Sequence, residues 1–194
     1  SHLTDCGVER RVTCAQLPCV TRFGMASLLP DVDMRLRFKQ AGNELRPFYD
    51  DQDVSERANR LGVIESTLNE RAQTMRLDKF IERTKTKKGR DAFLRETEKS
   101  DLLVLTSTEL DELGEGASSN QLQLIPAVVR ELQLAIKKCA DFGYDKAVIA
   151  TDHGFIWIED HDSGTVCEKP AGQWILKKRR CLIGSGDEAP GTVR

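Results

Sequence analysis

Hydrophobic positions along this chain change their spacing several times, and each change predicts a different kind of element. Near the start, "TRFGMASLLP" places Met25, Leu28 and Leu29 at i, i+3 and i+4. That spacing predicts a short helix with Thr21 as its cap and Pro30 as its stop. Residues 31–54 lose the periodicity, and Asn43, Pro47 and the acids Asp50, Asp51 and Asp53 predict mostly loop. From Ser55 to Lys99 the text is highly charged, with intermittent apolar positions such as Leu61, Ile64, Leu77, Phe80, Ile81 and Phe93. Two or three helices broken near "TKTKKG" fit it.

The apolar positions then close up. "DLLVLTS" is a short continuous run that predicts a strand over Leu102–Thr106, and "STELDELGEGASSN" follows as a polar, glycine-containing loop. Ile125, Val128, Val129, Leu132, Ile136 and Cys139 mark one face of an amphipathic helix, with Pro126 in its first turn and Gly143 at its end. "KAVIAT" reads as a second buried strand, so strand, helix and strand form the βαβ signature of a parallel sheet. "GFIWI" and "GQWILK" predict two further strands, with "EDHDSG" as the turn after the first. The expected fold class is α/β, an open and mostly parallel sheet flanked by helices. Within one domain, a charged helical segment covers 55–100, and the βαβ core with its following strands covers 101–184.

Composition narrows the picture. A chain of 194 residues suits one ordinary domain, and a net charge of -2 gives no bulk bias toward nucleic acid or membrane. No apolar run approaches membrane length and the first residues hold no signal-peptide core, so a cytoplasmic location is expected. The six cysteines are scattered without a C-x-x-C pair and read as reduced thiols. Cys6, Cys14, Cys19 and His2 have irregular spacing for a zinc site. The text opens without an initiator Met, and a fragment of a longer chain is expected.

In an open α/β sheet the ligand site lies beyond the carboxyl ends of the parallel strands. Asp111 and Glu115 follow the first predicted strand, and Asp152 and His153 follow the second. Adjacent Asp and His offer a hard oxygen and an imidazole nitrogen, a pair suited to Zn²⁺ or Mn²⁺, and Gly154 lets the backbone turn away. One helical turn, or a loop folded around Gly114, directs both Asp111 and Glu115 inward. Each feature has a plain alternative: a hydrogen-bonded turn for Asp152–His153, solvated acids around Asp111, a simple cap for Thr21.

Taken together and in order, "LPCVTRFGMASLLP", "LLVLTSTELDELGE" and "AVIATDHGF" resemble the PglZ domain of the alkaline phosphatase superfamily, over about Leu17 to Phe155. "WILKKRRCLIG" is similar to the basic strand that follows in such domains. The resemblance implies an alkaline-phosphatase-like fold truncated at its N-terminus, with the chain matching the C-terminal two-thirds of the domain. It implies Thr21 as nucleophile and metal ligand, Asp152 and His153 as ligands of the same metal, and Asp111 with Glu115 as ligands of a second. Glu115 stands where the superfamily usually has His, which resembles the PglZ branch and makes that site harder. The upstream metal-binding Asp and a late His have no counterpart, since Asp5 lies too close to Thr21 and His161 follows too soon.

The implied activity of the intact parent is that of a metal-dependent phosphatase or phosphodiesterase of a bacterial phage-defence or signalling system of the BREX and Pgl type. Its cofactors are two divalent ions, Zn²⁺ or Mn²⁺. Its substrate is a phosphate ester, nucleotide or nucleic acid, and other defence proteins are its partners. A threonine hydroxyl is a weak nucleophile that metal coordination can activate, and two metals roughly 4 Å apart stabilise attacking and leaving oxygens. Free N–H groups at the helix start suit a phosphate, and Arg22 is placed to steady one. The basic runs Arg83–Arg90 and Lys177–Arg180 read either as solvated faces or as a phosphate-tracking surface, with little aromatic interleaving for base stacking. The alternative function is a catalytically degenerate phosphatase-like domain that serves as an interaction or nucleic-acid-binding module.

Overall fold

The structure, a computed structural model, describes residues 7–69, 71–115, 123–154, 168–178 and 181–189. They fall into two units, Ser1–Val12 with Leu61–Ala150 and Thr13–Arg60 with Thr151–Arg194.

The second of these units contains the first helix, α1 (Thr21–Gly24), and a 3₁₀ turn over Ala26–Leu28. Val20, in extended backbone, is the cap residue, so Thr21 is the first helical residue and not the cap. The buried positions are Phe23, Ala26 and Leu29, whereas Leu28 is exposed. The expected i, i+3, i+4 face has become a repeat of three, because the chain tightens to about three residues per turn in the 3₁₀ segment.

Residues 31–54, expected as mostly loop, hold a one-turn helix α2 (Val32–Arg35) and an antiparallel meander. Its strands are β1 (Leu36–Ala41), β2 (Glu44–Tyr49) and β3 (Gln52–Asp53). The register runs from Leu36↔Tyr49 to Ala41↔Glu44 and leaves Gly42-Asn43 as a two-residue turn, with Gly42 at a φ of 62°. Pro47 is tolerated because its carbonyl accepts from the Val54 N–H at 3.0 Å and β3 ends before a donor is needed beside it. Phe38 meets Phe23 edge-on at 4.9 Å, and the Tyr49 hydroxyl donates to the Pro30 carbonyl at 2.9 Å. These contacts tie the meander to the α1 segment.

Helix α3 (Arg57–Thr67) crosses the division between the units. Beyond it, β4 (Ala72–Arg76) pairs in parallel with β5 (Leu102–Thr106), from Ala72↔Leu102 to Arg76↔Thr106. The crossover between them carries α4 (Leu77–Arg83) and α5 (Lys87–Thr97). The break falls at Thr84–Thr86, as the sequence predicts, and the Thr86 hydroxyl caps α5 by accepting from the Gly89 N–H at 3.1 Å. The mixed α/β class holds, with its parallel pair formed one crossover earlier than expected.

The polar segment after β5 is helical rather than looped, as α6 (Glu109–Glu115). Glu109, Asp111 and Glu112 occupy its first turn, where negative charge complements the helix dipole, and the Thr108 hydroxyl donates to Glu112 at 2.6 Å. The long amphipathic helix appears as α7 (Ile125–Asp141), with Pro126 in its first turn and Gly143 at a φ of 95° just past its end. Ala135, Leu132 and Cys139 pack on Leu77, Phe80, Ile81 and Phe93, whereas Val129 lies outside this face. Residues 144–151 form no strand, and Val148 and Ile149 are exposed. A strand over "KAVIAT" needs hydrogen-bonded neighbours, and among the described residues none pairs with it.

Back in the unit with α1, β6 (Gly172–Lys177) and β7 (Leu182–Gly186) form an antiparallel hairpin with a bulge between Trp174 and Leu176. "GQWILK" is thus a strand as expected, but "WILKKRRCLIG" is two strands and not one. The chain reverses after Lys178, whose N–H donates to the Cys181 carbonyl at 3.0 Å. The strand expected over "GFIWI" and its turn lie outside the described residues.

Candidate phosphoryl-transfer site

Thr21 begins α1, and its side chain is exposed. Three residues later Gly24 is buried against Asp152: a Cβ added to Gly24 would lie 2.7 Å from the Asp152 Cβ and 3.1 Å from its carbonyl oxygen. Residues three apart on a helical turn are surface neighbours, so Asp152 lies beside the turn that presents Thr21. Among the expected ligands, then, the structure brings Asp152 to the helix that Thr21 starts, with His153 next to it in the chain.

Asp152 and His153 are largely removed from solvent, with side chains 16% and 8% exposed, respectively. The Asp152 Oδ2 atom is buried and accepts no hydrogen bond among the described residues, and the His153 Nε2 lies 3.7 Å from it, beyond hydrogen-bond reach. A buried carboxylate oxygen with no donor is costly to desolvate. A divalent cation is the partner that such an oxygen and an adjacent imidazole fit.

Arg60 supplies positive charge nearby. Its side chain is buried and donates to the Val54 carbonyl at 2.9 Å and the Ser55 carbonyl at 2.5 Å. Burial pushes the Arg60 guanidinium below its ordinary pKa, while the fields of Glu56 and Asp152 act the other way. Arg60 reads in the sequence as one more charge in a helical segment. Gly24 carried a faint signal, since an isolated glycine inside a helical pattern asks for a packing reason.

Arg22 follows Thr21 and extends over the Phe23 ring, 5.2 Å from its centroid, with its guanidinium 3.5 Å from Glu44. Its contact with Glu44 is at the outer limit of a hydrogen bond and is solvent-screened, so a phosphate can compete for the guanidinium. Asp111 lies on α6, half-buried, and Glu115 ends the same helix four residues on, in the unit spanning Leu61–Ala150. Among the described residues no three His, Cys, Asp or Glu side chains converge as a cluster, and the Glu115 side chain and His161 lie outside the described residues.

An open pocket of about 490 Å³ lies elsewhere, lined by Glu65, Gln73, Arg95, Glu96, Glu98 and Lys99. It mixes both charge signs and contains none of the expected site residues. Among the described residues Cys14, Cys19, Cys139 and Cys181 form no disulfide. No helix among the described residues is long and apolar enough to cross a membrane.

The chain is of mixed α/β class, and the family model matching residues 4–193 describes an alkaline phosphatase-like domain. That model is the PglZ domain of the BREX system, and the chain belongs to this family. The match assigns a phosphatase-like hydrolase domain within a defence system. No curated protein and no solved structure matches the chain.

Proposed function

We propose that this domain hydrolyses phosphate esters with Thr21 as nucleophile, and that Asp152 and His153 hold a divalent metal beside it. The observation that carries the reading is the buried Asp152 Oδ2, which finds no donor among the described residues, on a residue packed against Gly24 of the helix that begins with Thr21. In the reaction, the Thr21 oxygen attacks phosphorus in line with the leaving alcohol. The phosphorus–oxygen bond to that alcohol breaks, and the alcohol leaves with a proton. Water then releases phosphate from the threonine and restores the hydroxyl.

When bound, two divalent ions, Zn²⁺ or Mn²⁺, would lower the nucleophile's pKa and stabilise charge on the attacking and leaving oxygens. Asp111 and Glu115 are assigned to the second ion, where an all-oxygen pair favours a hard cation such as Mn²⁺. Arg22 steadies the substrate's phosphate by a charge-assisted hydrogen bond, giving up its screened contact with Glu44. The substrate class is a phosphate ester, nucleotide or nucleic acid, the partners are other proteins of the defence system, and the compartment is the cytoplasm.

The test is hydrolysis of a chromogenic phosphodiester and the corresponding monoester by the full-length parent, with Zn²⁺ or Mn²⁺ added. Thr21→Ala runs alongside. The expected result is metal-dependent turnover that falls to background in the variant, a loss of about 10³-fold or more. Turnover retained by Thr21→Ala sinks the nucleophile assignment. Metal binding without turnover of either ester assigns instead the degenerate interaction module.

A further inference from the structure

We infer that Gly24 is a positioning residue of this site: its missing side chain sets how closely Asp152 lies to the Thr21 turn. The inference rests on the reading of Asp152 as a metal ligand and goes beyond it, because Gly24 carries no ligating atom.

Nothing in the backbone requires glycine here. Gly24 closes α1 in right-handed helical geometry, where alanine is the better residue. What requires it is the neighbour. A Cβ would come within 2.7 Å of the Asp152 Cβ, 3.1 Å of its carbonyl oxygen and 3.3 Å of its Cα. Carbon atoms in contact prefer roughly 3.5–4.0 Å. Two of the three atoms belong to the Asp152 backbone, so no side-chain rotation relieves the clash and the whole residue must retreat.

The site has little slack to absorb that retreat. On the opposite side of the contact, Phe23 is fully buried against Phe38 at 4.9 Å, and Ala26 is fully buried as well, which holds α1 in place. A retreat of about 1 Å would carry Asp152 away from the turn that bears Thr21, a shift on the scale that disables a ligand set. The other close-approach glycines differ in kind. Gly172, Gly184 and Gly186 face backbone of the β6–β7 hairpin and Trp174, and Gly89 faces Arg83. Gly24 is the glycine whose Cβ would strike a proposed ligand.

The experiment is a Mn²⁺ titration of the full chain, followed by electron paramagnetic resonance of the free ion, with thermal unfolding in EDTA as a second readout. Wild type, Gly24→Ala, Asp152→Asn and Gly62→Ala are compared, the last being an exposed helical glycine with no atom within 4 Å of its would-be Cβ. Gly24→Ala is expected to weaken Mn²⁺ binding about 10- to 100-fold, and Gly62→Ala to leave it unchanged. Adding Asp152→Glu to Gly24→Ala is expected to recover part of the loss, because the longer side chain reaches back toward its former position.

Wild-type affinity in a folded Gly24→Ala protein overturns the inference while Asp152→Asn still weakens binding. Unchanged binding in Asp152→Asn overturns the metal-site reading itself. Should Gly24→Ala fail to fold, Asp152→Glu alone tests the same spacing with Gly24 in place. About tenfold weaker binding supports a distance fixed by the packed backbone, and unchanged binding overturns it.

Discussion

One unit of this molecule fills its interior with an aromatic and aliphatic cluster, and the other buries a charge beside its apolar core. In the unit spanning Leu61–Ala150, Phe80, Phe93 and Phe142 form a cluster of rings with centroids 5.3–6.0 Å apart, enclosed by Leu77, Ile81 and Ala135. Two of its buried hydroxyls are satisfied within their own helices: Thr84 donates to the Phe80 carbonyl at 2.7 Å, and Thr97 to the Phe93 carbonyl at 2.9 Å. The unit holding Thr21 instead buries Arg60 and half-buries Asp152 and His153, and Asp152 Oδ2 finds no donor among the described residues. Buried ionisable groups cost stability and concentrate at functional sites, so the contrast separates a region organised for packing from one organised for chemistry.

The largest stability effect should therefore come from the aromatic cluster. Phe80 is fully buried and meets both Phe93 and Phe142 edge-on. Phe80→Ala is expected to destabilise the fold by about 3–5 kcal/mol, read from urea unfolding followed by circular dichroism. A loss below about 1 kcal/mol would mean that the cluster collapses around the gap, and the contrast between the units would fail.

Asp152→Asn should have the opposite profile. It keeps the shape of the side chain but removes a buried charge that accepts no hydrogen bond on Oδ2. The attraction to Arg60 offsets part of that desolvation cost. In EDTA the variant is expected to lie within about 1 kcal/mol of wild type, while the rise in melting temperature that Mn²⁺ gives the wild type disappears. A metal-free loss near 3 kcal/mol would identify Asp152 as a structural ion-pair residue and sink the distinction.

Much of the carbon-filled unit was legible because periodicity carries it. β5 falls on the apolar run Leu102–Thr106, and α7 follows the spacing of Ile125, Val128, Leu132 and Cys139. β4 was not legible, because only Ala72 and Met75 are apolar in it and its strand state comes from pairing with β5. The β1–β2 hairpin did leave a signal, Gly42-Asn43 between two alternating runs, but Pro47 and the acids after it read as loop. The helical state of α6 and the Thr108 to Glu112 side-chain hydrogen bond at its start hid behind glycine-containing polar text. At the candidate site the ordered motifs pointed to Thr21 and the Asp152–His153 pair. Arg60 stayed hidden, and Gly24 showed only as an unexplained helical glycine, because their roles exist only once residues far apart in sequence are packed together.

The smallest effect sharpens the comparison most cleanly, because it makes the same substitution at two helical glycines. Gly62 sits inside α3, exposed, with nothing within 4 Å of a would-be Cβ. Alanine there loses less backbone entropy on folding and meets no obstacle, so Gly62→Ala is expected to stabilise by about 0.5–1 kcal/mol in the same urea titration. Gly24→Ala gains the same helical preference but faces a Cβ contact of 2.7 Å, so its net change should have the opposite sign. If both substitutions stabilise, Asp152 has room to move and the charge-burying unit is softer than its packing shows. If Gly62→Ala destabilises, α3 is not the helix that joins the two units' sequences, and the division between them must be redrawn.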